Sequence, residues 1–127
     1  MDMNTQLESF KRLLGEIEKV VNDDNKAEIN GRTYQLSEMT IEQALPFIQL
    51  YQDMQPNPVT GEVREKFDIK KIKDMLDNYV LFEGALIKNL PNHWNKHKGD
   101  LLPYVNTMFL VANYDFLEES LQPLRGL

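Results

Sequence analysis

The chain has 127 residues, 42% of them hydrophobic and 27% charged, with a formal net charge of −6. That balance belongs to a globular domain rather than a disordered or fibrous chain, and the absence of cysteine excludes a disulfide framework, a thiolate metal site and a cysteine nucleophile. Apolar runs are only a few residues long, too short for a membrane span or a signal-peptide core, so a cytoplasmic location is expected.

The first element is an amphipathic helix over 4–21. Leu7, Phe10, Leu13, Leu14, Ile17, Val20 and Val21 recur at three- and four-residue intervals, with Glu8, Lys11, Arg12, Glu16 and Lys19 between them. Asn22 to Asn25 end it, because short polar side chains compete for backbone hydrogen bonds. A β-hairpin follows over 27–36. Asn30 and Gly31 suit a two-residue turn in which both central residues need positive φ, and Ile29, Tyr34 and Leu36 flank it with strand-favouring side chains.

Thr40 and Gln43 form a capping box ahead of a helix over about 41–54 with an apolar face of Ile41, Ala44, Leu45, Ile48 and Tyr51. Pro46 implies a bend or a short first turn, and Pro56-Asn57-Pro58 stops the helix. After the loop 56–66, Asp68 caps a long helix over about 69–89 whose inward face is Ile69, Ile72, Met75, Leu76, Tyr79, Val80 and Phe82, extending to Leu86. Gly84 reads as a bend or a close helix contact within it. Leu90-Pro91-Asn92 ends this element, and His93 to Gly99 reads as a surface connector anchored by Trp94. Asp100 then caps a strongly apolar helix over 101–112, and a short terminal helix is expected over 115–122. The expected fold is therefore mainly α, four to five helices with one small β-hairpin, in a single α+β domain and with no other strand.

Chemistry-bearing patterns are few. His93 and His97 have the four-residue spacing of zinc-binding helices and Asp100 could supply a third ligand, but Trp94 stands where the protease pattern needs glutamate. The reading is no metal. Asp23-Asp24 and Glu118-Glu119 lack any visible environment that would separate their pKa values, and no Gly-rich phosphate loop or nucleophile elbow is present. No catalytic residue and no cofactor is expected. Charge is uneven: up to Val63 there are eleven acids against five bases, and from Arg64 to Lys98 eight bases against five acids. Lys66, Lys70, Lys71 and Lys73 could face phosphate, yet the acidic whole argues against a nucleic-acid partner.

The apolar crowding of the last third is the better lead. Met108, Phe109, Phe116, Leu117 and Leu121 are the candidate protein-interaction residues, and Asn30 and Gly31 the structural turn. Simple core packing is the competing reading.

Ile29-Asn30-Gly31-Arg32-Thr33-Tyr34-Gln35-Leu36, followed by Thr40-Ile41-Glu42-Gln43-Ala44-Leu45, resembles the strand pair and Thr-initiated helix of tail assembly chaperones of long-tailed bacteriophages. Asn113-Tyr114-Asp115-Phe116-Leu117 is similar to a late stretch of some members. The long N-terminal helix and the Pro56–Pro58 loop depart from that pattern. The resemblance implies a non-enzymatic, self-associating protein of the host cytoplasm that binds a helical client, the tape measure protein, during tail building. The alternative is a small acidic regulator or inhibitor that binds a host protein through its acidic N-terminal third.

Overall fold

The computed structural model of the protein describes residues 3–114. Helix α1, Met3–Asn22, buries Leu14 and Ile17. It gives way to Asp24 and Asn25, both at positive φ (59° and 62°), a conformation that Asp and Asn tolerate better than most residues. Strand β1, Lys26–Ile29, then turns through Asn30 and Gly31 into β2, Arg32–Leu36. Both turn residues have positive φ, 52° and 79°, as a type I′ turn requires.

Helix α2 runs Ile41–Met54 behind a complete capping box: Thr40 accepts from the Gln43 backbone N–H, and the Gln43 side chain accepts from the Thr40 N–H. Pro46 lies inside this helix and deprives the Glu42 carbonyl of its intrahelical donor. Helix α3 is capped by Asp68, whose carboxylate accepts from the Lys71 N–H. It spans only Ile69–Asp77.

From here the structure departs from the helix expected over 69–89. Strand β3, Val80–Phe82, and β4, Ala85–Leu86, form a second hairpin turning at Glu83 and Gly84, with φ of 51° and 82°. Gly84 is needed for this backbone conformation and not for a close packing contact, since a Cβ there would meet nothing within 4 Å. β3 also pairs antiparallel with β2, so the sheet has four strands in the order β1-β2-β3-β4. The expectation of a single small hairpin in an otherwise non-β chain is thus overturned, and the domain is α+β with a four-stranded antiparallel sheet.

The register aligns Ala27, Tyr34, Phe82 and Ala85 in one row across all four strands. Alternation along β2 places Arg32 and Leu36 on the same face as Tyr34. Helix α5, Leu101–Ala112, packs against this sheet at β1 and β2 and also touches α1, α2 and α3. Its Tyr104, Val105, Met108, Phe109 and Val111 are all buried, and burying each such side chain stabilises the fold by roughly 1.5–3 kcal/mol. Between β4 and α5 lie a 3-10 turn, Ile87–Asn89, the one-turn helix α4, His93–Lys96, and a second 3-10 turn, Lys98–Asp100. Among the described residues no helix is long and apolar enough to cross a membrane.

Candidate functional site

The most concentrated polar chemistry sits where the inner face of β2 meets α4 and the start of α5. Asp100, completely buried, accepts from Arg32 Nε at 2.6 Å and Arg32 Nη2 at 2.8 Å, from Asn30 Nδ2 at 2.8 Å and from Tyr34 Oη at 2.7 Å. The turn residue Asn30 therefore has a second role beyond its backbone. Such a donor set is what a buried carboxylate needs to remain ionised. Hydrogen bonding to the Arg32 guanidinium, with Asn30 and Tyr34 adding to it, holds the Asp100 carboxyl well below the usual carboxylate range despite burial. The helix-capping role expected of Asp100 is not taken up, because its side chain makes no cap hydrogen bond. Arg32 and Tyr34 outcompete the helix N-terminus for it.

Tyr34 links this carboxylate to His93, whose Nε2 lies 2.9 Å from the Tyr34 hydroxyl oxygen. A phenol has one proton to give, and an ionised carboxylate can only accept it. Tyr34 therefore donates to Asp100 and accepts from His93, which assigns the imidazole proton to Nε2. Burial lowers the His93 pKa, with His97 adding to the effect, and burial, with help from Asp100, raises that of Tyr34. The result is a chain of fixed polarity: neutral His93 to Tyr34 to ionised Asp100, closed by Arg32.

Aromatic rings wall this chain in. Tyr34 lies 5.3 Å from Phe82, 5.5 Å from Tyr104 and 6.2 Å from Trp94 between ring centroids, nearly parallel to the last. On the far side of Tyr104 a second carboxylate, Asp77, accepts from Tyr104 Oη at 2.8 Å, from Trp94 Nε1 at 3.2 Å and from Lys73 Nζ at 2.8 Å. Two buried acids, each served by a tyrosine and a cation, thereby clamp β2, α3, α4 and α5 together. His93 is buried and Trp94 half-buried, so the stretch expected to be a surface connector is structural.

An open groove of about 510 Å³ runs past this cluster, its wall including Arg32, Phe82, Glu83, His93, Lys96 and His97. His93 and His97 come within 4.9 Å of each other between ring centroids, but Nε2 of His93 is committed to Tyr34. Among the described residues no three His, Asp or Glu side chains converge on a metal-sized site.

The residues singled out for protein interaction fare unequally. Met108 and Phe109 are buried in the core, so neither presents surface to a partner. Phe116, Leu117 and Leu121 lie outside the described residues, as does the helix expected over 115–122. Of the basic stretch, Lys66 is exposed and makes no ion pair among the described residues, whereas the other three lysines are paired with acids. Lys70 and Lys73 each meet Asp74 at 2.9 Å, Lys73 also reaches Asp77, and Lys71 lies 3.9 Å from Glu65. Sequence reasoning missed the Asn30–Arg32–Tyr34–His93–Asp100 cluster. The one signal for it was the alternation of Arg32 and Tyr34 along a single strand face.

Compared with protein-family models, with curated proteins and with solved structures, the chain has no match.

Proposed function

We propose that the protein works by binding other polypeptides, in the manner of the phage tail assembly chaperones it resembles, and that it performs no reaction of its own. The observation that carries this reading is apolar surface left uncovered outside the core. Ile41 and Leu45 are one helical turn apart at the start of α2 and are 64% and 52% exposed. The connector between α2 and α3 adds Val59, 91% exposed, with Val63 and Phe67 also exposed. A single exposed apolar residue means little. A pair on one helix face, with three more exposed apolar residues on the connector that follows the other end of that helix, offers a client separate points to dock.

Acids at Glu38, Glu42, Glu62 and Glu65 stand among these residues in the sequence and keep such a surface soluble until a client covers it. The client that suits it is an amphipathic helix, in keeping with the long helical tape measure protein that the resemblance implies. The buried polar cluster supports the same reading by its use: the Asp100 and Tyr34 oxygens are consumed in holding elements together, as befits a scaffold.

Co-expression with a fragment of the tape measure protein from the same source tests the proposal. A soluble complex that Leu45→Asp weakens, with the helical far-UV signal of the variant unchanged, is the expected result. Failure of the wild type to hold any such fragment would remove the chaperone reading. Selective recovery of a nuclease or repressor instead would favour the acidic inhibitor.

A further inference from the structure

The groove beside His93 is lined by residues other than those of the proposed client surface. His93 is buried yet forms part of the groove wall. Its Nε2–H is spent on Tyr34, which leaves Nδ1 with a lone pair and no partner among the described residues. A neutral imidazole held in one tautomer by a neighbouring hydroxyl keeps one acceptor nitrogen, and this ring lines the groove.

The opposite character lies beside it. Asp100 takes two of the five guanidinium N–H donors of Arg32, those on Nε and Nη2. The Arg32 side chain is still 36% exposed and lines the groove, so its remaining donors are available in an orientation that the buried carboxylate fixes. Lys96 and His97 line the same groove, and Lys96 makes no ion pair among the described residues. Phe82, Leu90 and Pro91 supply an apolar flank. Among the described residues, Glu83 is the one acid in the lining.

A ligand for this groove must accept hydrogen bonds from Arg32 and Lys96, donate one to His93, and carry an apolar body. Carboxylates and sulfate fail the second requirement, since neither carries a proton near neutrality. A phosphate monoester meets all three at about pH 6, where its second ionisation leaves roughly half of it with a proton to donate and its oxygens are strong acceptors. We propose that the groove binds a small phosphate monoester, with its phosphoryl group on Arg32, Lys96 and His93 and its apolar ester group against Phe82, Leu90 and Pro91. The net charge of −6 opposes approach from a distance, but at about 0.15 M salt that repulsion is screened beyond roughly 8 Å, and short-range donors decide the outcome.

Calorimetric titration of the full chain at about pH 6 with phenyl phosphate, inorganic phosphate and sodium sulfate tests this, with amide shifts locating each ligand. Phenyl phosphate should bind most tightly, inorganic phosphate less so and sulfate least, with shifts centred on residues 82–97. Lys96→Gln, a neutral change at an exposed position, should weaken phenyl phosphate about tenfold, the loss expected for one charge-assisted hydrogen bond. The proposal is overturned if sulfate matches phosphate, if the phenyl group adds nothing, if Lys96→Gln binds like the wild type, or if the shifts centre elsewhere.

Discussion

Arg32 and Asp100 meet side-on across 68 residues of sequence, Nε to Oδ2 at 2.6 Å and Nη2 to Oδ1 at 2.8 Å. This pair ties the first hairpin to the start of the central helix. One partner is completely buried and the other is about one-third exposed. Asp100→Asn keeps the shape but removes the charge, and it turns one acceptor oxygen into a donor facing Arg32, Asn30 or Tyr34. Because Arg32 retains access to water, the cost should be about 2–4 kcal/mol, short of the full penalty for a wholly buried pair. Chemical denaturation measures it, and a loss under about 0.5 kcal/mol, the range of ordinary surface changes, would mean that the pair is not formed in solution.

Two carboxyl and imidazole effects predict how stability follows pH. Asp100 has its folded pKa lowered, so its contribution is complete above its unfolded value of about 3.9 and is lost as pH falls below it. His93 is likewise lowered, which means the unfolded chain binds its proton first. Stability should therefore begin to fall as pH drops below about 6.5, before the carboxylates titrate. Denaturation midpoints across this range should show a His93 limb that disappears in His93→Gln. A flat profile between about pH 6.5 and 5 in the wild type would contradict the buried neutral imidazole.

Both hairpin turns depend on glycine at positive φ. Gly31→Val and Gly84→Val should each destabilise by about 1–3 kcal/mol through backbone strain, since both sites have open space for the side chain. An unchanged midpoint for either variant would mean that its turn adopts another conformation.

These two turns also show what could be read in advance. Asn30-Gly31 announces itself, because asparagine and glycine are the residues that accept its geometry. Glu83-Gly84 does not, since glutamate at positive φ has no such signature. Ile69, Ile72, Met75, Leu76, Tyr79 and Val80 also keep helical spacing through the end of α3 and into β3, and over so short an apolar run the two periodicities coincide. Tyr79-Val80-Leu81-Phe82 was the strand-favouring clue, outweighed by that spacing. The capping residues Thr40 and Asp68 were legible because a cap acts within three residues. Asp100 stands at the N-cap position of α5 as its sequence suggests, but its side chain makes no cap hydrogen bond, because its partners Arg32 and Tyr34 are distant in sequence and no local rule anticipates them.

The capping box offers a clean local test. Thr40→Ala removes the acceptor for the Gln43 N–H at an exposed position and should cost about 1 kcal/mol. A circular-dichroism melt that shows no shift would indicate that α2 starts later, near Pro46.

Core placement of α5 separates packing from binding. Met108→Ala should cost about 2–5 kcal/mol and Phe109→Ala about 3–5 kcal/mol, with client capture by the folded fraction unaltered. Stability close to wild type in both variants would return these side chains to the surface.

Hydrogen exchange on the full chain, with and without the proposed client, a tape measure fragment, tests the proposed binding surface most directly. New protection is expected in the first turns of α2, around Ile41 and Leu45, and along the connector from Val59 to Phe67, with little change in α5. Protection confined to α1, or appearing first in α5, would contradict that surface.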